Sequence, residues 1–263
     1  MTQIIDAHTH LGLETFVVKP IPTEKRKRPA FRDPLEHRVE NLLRRMDTNG
    51  VSRAVAFPYP LEEVDPVLVN TYVLDACHAY PDRIIPFALI GDDVDQWLEQ
   101  GAKGFKQHAI LQTPERFNLP RAYRRMAAAQ TPLIIHARSL APEQVTQQIR
   151  EILNSAPDLR VIVAHMGRHT PNTSEHVEAN LQGLRDQANV FFETSTVRDS
   201  LIIQRAVELV GENRILFGSD SPFNSHLDAD PLAVEIDIIR QAGFPPRVED
   251  KILGGNLMRL LGI

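Results

Sequence analysis

Five residues of types that bind divalent metal ions draw attention because each stands where a short apolar run stops. The first two lie in Asp6-Ala7-His8-Thr9-His10. Side chains two apart on a strand share a face, so His8 and His10 point the same way and can grip one divalent cation between two imidazoles. Taken alone, the pair suits a hydrogen-bonded core pair equally well. His136 ends Pro132-Leu133-Ile134-Ile135-His136, His165 ends Val161-Ile162-Val163-Ala164-His165, and Asp220 follows Ile215-Leu216-Phe217-Gly218-Ser219. Burying these groups without partners would cost on the order of 1–3 kcal/mol each. A bound cation accounts for all of them at once.

Positioning them is the work of eight apolar runs, at 3–8, 51–57, 84–90, 104–108, 133–137, 161–165, 190–194 and 215–219. They are rich in Ile, Val, Leu, Phe and Ala without polar alternation, the pattern of strands buried on both faces. Helical segments are predicted between and after them, at 34–48, 66–79, 93–100, 120–130, 142–155, 174–187, 199–210, 231–242 and 248–261. Proline near the first turn of several suits a helix start, and Asn49-Gly50 is a stop. Strand then helix, eight times over, predicts an α/β fold of the (β/α)8 TIM-barrel type, for which about 250 residues is usual. A doubly wound sheet of eight strands is the competing arrangement. In a barrel the strand ends converge on one rim, where active sites of this fold are built.

Composition narrows the function. The 263 residues are 43% hydrophobic and 24% charged, which is ordinary for a soluble globular chain. A net charge of -5 and a pI near 6.1 argue against a general nucleic-acid binder. The lone Cys77 cannot form an internal disulfide and offers no cysteine zinc site, which fits a reducing, cytoplasmic setting. No signal peptide is visible and no apolar run approaches the roughly 18–20 residues of a membrane span. No break divides the chain, so 1–263 is expected to be one domain. Its conspicuous insertion, 13–33, carries Lys25-Arg26-Lys27-Arg28. It reads as a solvated loop, or as a lid whose basic groups draw in an anion. Neither a GxSxG elbow nor a phosphate-cradling or dinucleotide-binding glycine loop is present.

DAHTH, IIH, AHMG and FGSDSP, in that order along the chain, resemble the amidohydrolase superfamily, most closely its amidohydrolase-related (Amidohydro_2) branch of metal-dependent hydrolases, lactonases and non-oxidative decarboxylases. The resemblance runs from residue 4 to about residue 257. It implies that His8, His10 and His136 are metal ligands, with Asp220 binding the same metal or standing beside it as a proton acceptor. His165 would act as an acid/base or as ligand of a second metal. In binuclear branches a carboxylated lysine bridges two metals, and Lys106 stands at the matching place. An unmodified Lys106 ammonium holding a substrate carboxylate is the other reading. His108 shares its face. Members of the family are often dimers, so a homodimer is open to this chain.

Imidazoles with one carboxylate suit a single Zn2+, and also Mn2+, Fe2+ or Co2+. Asp6 would orient a ligand imidazole or serve as a polar group of the barrel core. Arg138, Arg168, His169 and Arg198 follow predicted strand ends, where an arginine fork can hold a carboxylate. Phe57, Tyr59 and Phe223 offer apolar walls. The expectation is a metal-dependent hydrolase of a small anionic lactone, ester or amide. The alternatives are a non-oxidative decarboxylase of an aromatic or unsaturated acid, a phosphotriester hydrolase if Lys106 bridges two metals, and a barrel that binds without turnover.

Overall fold

The computed structural model describes residues 3–28, 31, 34–109, 111, 119–137, 141–169, 173–223 and 230–263. In chain order the strands are β1 (Ile4–Leu13), β2 (Glu36–His37), β3 (Val51–Pro58), β4 (Ile84–Leu89), β5 (Gly104–His108), β6 (Leu133–His136), β7 (Val161–Val163), β8 (Val190–Glu193) and β9 (Ile215–Leu216). The helices are α1 (Thr23–Arg26), α2 (Val39–Asn49), α3 (Pro66–Ala79), α4 (Val94–Glu99), α5 (Pro120–Ala128), α6 (Pro142–Ser155), α7 (Thr173–Gly183), α8 (Ser200–Val210), α9 (Pro231–Gln241), α10 (Pro246–Asp250) and α11 (Asn256–Leu261).

β1 and β3 to β9 pair in sequence as parallel neighbours. The ends of that sheet meet: Ala7 N donates to Phe217 O (2.9 Å), Asp220 N to His8 O (2.8 Å) and His10 N to Ser221 O (2.7 Å). The sheet thereby closes into the expected (β/α)8 barrel, with β2 added antiparallel on β1. Among the described residues no helix is long and apolar enough to cross a membrane.

Both faces of the wall are buried, as the unbroken apolar runs require. Ile5, Val55, Ile85, Ile134, Ile162 and Leu216 fill the inside, joined by Leu257 and Leu260 of α11. The outward-facing residues pack against the helix ring in a second cluster. The segment expected as one helix over 248–261 is α10 and α11 joined by a π turn at Lys251–Gly255. Gly254 lies there against the start of β1, where a Cβ would fall 2.2 Å from Gln3 O. α11 therefore plugs the end of the barrel opposite the strand tips.

Ion pairs and hydrogen bonds tie down the described residues of the 13–33 insertion. Glu14 Oε2 accepts from Leu35 N (2.9 Å), and Arg26 bonds Glu14 and Phe31 O (3.0 Å). Lys25 pairs with Glu63 (2.6 Å). Two of the four basic residues are thus spent in tying the insertion down rather than facing a ligand. Phe31, buried, packs with Tyr59 and Leu35 in a third apolar cluster.

Candidate metal centre

β1 carries the first two candidate ligand groups, with a bulge at the first of them. Pairing with β3 advances three residues on β1, from Asp6 to Thr9, against two on β3, from Ala54 to Ala56. Such a bulge turns a side chain out of strict alternation. Asp6 precedes it and His8 lies within it, and they do different things. Asp6 Oδ1 accepts from His8 N (2.9 Å) and Ser219 N (3.0 Å), and Oδ2 accepts from Ser219 Oγ (2.5 Å). Asp6 therefore clasps the barrel seam and the backbone of His8, not its ring.

His8 in the bulge and His10 just past it come together. His8 Nε2 lies 3.3 Å from His10 Nε2, and both nitrogens lie 3.2 Å from Asp220 Oδ1. A tetrahedral ion with bonds of about 2.0–2.1 Å has ligands about 3.3–3.4 Å apart. The triangle matches one face of that tetrahedron. His165 adds a nitrogen within 4.8 Å of ligand atoms of His8 and Asp220. Its ring stacks on His8 at 4.9 Å between centroids. His136 is one ring further along, 4.9 Å from His165 and 4.1 Å from His108, its register partner.

Three tight turns aim these groups, and in each a non-glycine residue holds a positive φ, a conformation that costs on the order of 1–3 kcal/mol and gathers at functional sites. His165 (56°) and Met166 (51°) form the turn after β7. Asn180 Nδ2 of α7 pins it by donating to Met166 O (3.1 Å) and Gly167 O (3.0 Å). Thr196 (61°) and Arg198 (52°) follow β8 and are held from α9 by Glu235, which accepts from Thr196 N (3.0 Å) and Arg198 Nε (2.9 Å). Asp220 (56°) follows β9 and is fixed by its amide on His8 O.

The polar groups at this end of the barrel are buried, and burial dominates their ionisation. It pushes His10 and His136 down to about 3, and His108 and His165 well below the ordinary imidazole range. Neutral imidazole is the form that ligates. Burial alone would raise the Asp220 carboxyl, but His8 and His165 beside it, with hydrogen bonds from His10 and His8, hold it well below the usual range. Burial and Lys106 push His8 down, yet Glu193 and Asp220 outweigh them and lift it. Lys106 is pushed down to about 8 by burial, against the pull of Asp220 and Glu193. Asp220 and Glu193 face Lys106, Arg168 and His8 here. Donor type and spacing fit a divalent metal.

The expected ligand-binding groups divide. Lys106 Nζ stands 3.4 Å from His8 Nε2 and 4.8 Å over the Phe57 ring. His108 Nδ1 accepts from Leu111 N (3.1 Å), so a neutral His108 carries its proton on Nε2 as a donor. Arg168 Nε bonds Thr196 Oγ1 (2.7 Å) beside His165. Arg198 is turned onto Glu235, and His169 rests against His176. Arg138 lies outside the described residues. Tyr59 stacks on His10 at 5.8 Å and Phe223 meets its edge at 4.5 Å, with Phe31 of the insertion against both. Cys77, on α3, is remote from these groups. A cavity of about 610 Å³ between α5 and α6, lined by Tyr123 and Gln148 among others, lies outside the barrel and holds none of the ligand groups.

Glu193 was not singled out from the sequence. It ends β8 fully buried, and its Oε2 accepts from His8 Nδ1 (2.8 Å), His165 N (3.1 Å) and Ser195 Oγ (2.9 Å). Ser195 Oγ lies in turn 2.8 Å from His165 Nδ1. The signal was available: Val190-Phe191-Phe192-Glu193 is an apolar run closed by an acid, the pattern that drew attention to Asp220.

No curated protein matches the chain in sequence. Among solved structures it is similar to 5-carboxyvanillate decarboxylase from Sphingomonas paucimobilis, at 15% identity and a TM-score of 0.77 over 100% of both chains. It resembles equally a probable 2-pyrone-4,6-dicarboxylic acid hydrolase from Acinetobacter baumannii, with citric acid bound, at 19% identity and 0.76, again over 100% of both. A dihydroxybenzoic acid decarboxylase from Polaromonas sp., with bound manganese and the inhibitor 2-nitroresorcinol, matches at 17% and 0.70 over 100% of this chain and 97% of its own. Identities this low speak to the fold. The family model named Amidohydrolase (Amidohydro_2) matches residues 5–263, and the chain belongs to that family.

Proposed function

We propose that this chain is a divalent-metal-dependent hydrolase of a small anionic substrate carrying a lactone, ester or amide. The observation that carries the proposal is the triangle of His8 Nε2, His10 Nε2 and Asp220 Oδ1, with sides of 3.2–3.3 Å at the rim of the barrel. His165 stands next to it as a further donor, with His136 one ring further along. A divalent ion, Zn2+ or Mn2+, supplies Lewis acidity there, lowering the pKa of water to about 7 and polarising a carbonyl. Asp220, held ionised, accepts a proton from the attacking water and returns it to the leaving group. His165, neutral and beside Asp220, would offer a ring nitrogen to the same cation. Lys106 and Arg168 place positive charge where an anionic substrate would lie, and His108 offers it a donor. Phe57, Tyr59 and Phe223 give an apolar wall for a small ring.

A second reading keeps the same residues and releases CO2 from an aromatic or unsaturated acid. It is favoured by the decarboxylases among the structural relatives. One experiment separates the two. Protein stripped with a chelator and reloaded with Zn2+ or Mn2+ is offered lactones, esters and amides with proton release recorded, and aromatic acids with CO2 recorded. Metal-dependent proton release without gas supports hydrolysis. Gas from an acid establishes the second reading. Full activity after stripping overturns both.

A further inference from the structure

The buried Glu193 carboxylate is placed by a void and committed to four hydrogen bonds. A Cβ on Gly218 would fall 2.2 Å from its Oε1 and 2.6 Å from its carboxyl carbon, so the glycine of FGSDSP makes the space that the carboxylate fills. Oε1 accepts from Ser195 N, and Oε2 accepts the three donors described above. A carboxylate only accepts, so His8 Nδ1, 2.8 Å away, carries the proton. The serine hydroxyl has a single hydrogen. Given to Glu193 Oε2, it leaves Ser195 Oγ to accept from His165 Nδ1, and Ser195 O, 3.2 Å from the same nitrogen, can only accept as well. Both imidazoles thereby carry a proton on Nδ1, which leaves Nε2 as the nitrogen that can face a cation.

We propose that Glu193 is a positioning residue. Directly for His8, and through Ser195 for His165, it selects the tautomer that points each Nε2 lone pair at the cation position, and Gly218 is the device that lets it do so. The proposal rests on the metal-dependent reading, since it assigns those lone pairs to a cation. It differs from a mere core contact in what it fixes: the site of a proton, not the volume of a cavity. Partners that orient ligand imidazoles are typically worth about 10–100-fold in metal affinity.

The test uses the metal-free full chain, labelled with 15N-histidine, alongside Glu193→Ala, Gly218→Ala and the double variant. Long-range 1H–15N spectra report which ring nitrogen of His8 and His165 is protonated, and chelator competition reports Mn2+ and Zn2+ affinity. Wild-type protein is expected to hold a proton on Nδ1 of both rings. Glu193→Ala is expected to deplete the Nδ1 proton of His8 and to weaken metal binding about 10–100-fold. Gly218→Ala, which pushes the carboxylate aside without removing it, gives the same change if Glu193→Ala does not fold. The double variant is expected to be no worse than Glu193→Ala, because the two act through one contact. Folded Glu193→Ala with His8 still protonated on Nδ1 and metal affinity within about twofold of wild type overturns the assignment. So does a Gly218→Ala loss that simply adds to that of Glu193→Ala. Wild-type protein that binds neither ion refutes the metal reading instead. The tautomers are read without metal and judge Glu193 separately.

Discussion

Asp220 has two tasks in the proposed chemistry, and they separate by substitution. Asn keeps the size and one acceptor oxygen but removes the charge and the capacity to take a proton. Asp220→Asn is expected to lower turnover by about 10²–10⁴-fold, the usual worth of a general base, with an unchanged circular dichroism spectrum. Turnover measured at saturating metal checks it, and a loss of less than about tenfold would remove the proton-transfer role. At this scale the sequence was most informative where a polar residue interrupts an apolar run: His8, His10, His136, His165 and Asp220 all gather at one rim. Asp6 bonds the backbone of His8 and Ser219, and the bulge between Asp6 and Thr9 was not legible in the sequence. Registers and bulges depend on the neighbouring strand, which no local pattern reveals. The pairing of Arg198 with Glu235 was hidden for the same reason, as the two groups are brought together by the packing of α9 against the turn after β8.

Elements carry the strain of the site, and two of them do so with buried or half-buried carboxylates. Glu235 on α9 is pushed up to about 7 by burial, despite its bonds to Arg198 and Thr196. Its ordinary value is 4.5. A carboxyl whose folded pKa is raised binds its proton more tightly when folded. It therefore stabilises the fold fully below pH 4.5, and that contribution is lost as pH rises through about 7. The loss amounts to about 3 kcal/mol at most. Glu235→Gln is expected to flatten the fall in stability over this window, and urea unfolding at a series of pH values is the measurement. Parallel curves for both proteins would show that Glu235 does not titrate there.

The insertion makes a comparable case. Glu14 holds both its ends by receiving Leu35 N and Arg26. Glu14→Ala is expected to cost about 1–3 kcal/mol and to speed hydrogen exchange at the Leu35 amide, while the amides of β5 and β6 keep their protection. Unchanged exchange at Leu35 would contradict the clamp. The sequence marked this insertion by its basic run, but the acids that neutralise Lys25 and Arg26 lie at Glu63 and Glu14. Only the fold brings them near.

The barrel as a whole separates the chemistry from the stability. Ligand groups gather at the tips of the strands, while the far end is stoppered by Leu257 and Leu260, which join Ile5, Val55 and Leu216 in the interior cluster. The alternation of strand and helix made this architecture legible, because strands buried on both faces need a helix layer outside and a filled interior. The stopper was less legible, since a π turn breaks the helical run at Lys251–Gly255. Leu257 is 1% exposed. Truncating it empties the base of the barrel, and Leu257→Ala is expected to cost about 2–5 kcal/mol and to lower Tm by roughly 2–4 °C for each kcal/mol. At a temperature where this variant is still folded, Mn2+ and Zn2+ affinity should equal that of wild type, because the clasp of Asp6 on Ser219 stands between the stopper and the ligand atoms. Paired thermal melts and chelator competition measure the two effects. A fall in affinity proportional to the loss of stability would mean that the rim is not held by its local bonds but by the packing of the whole interior.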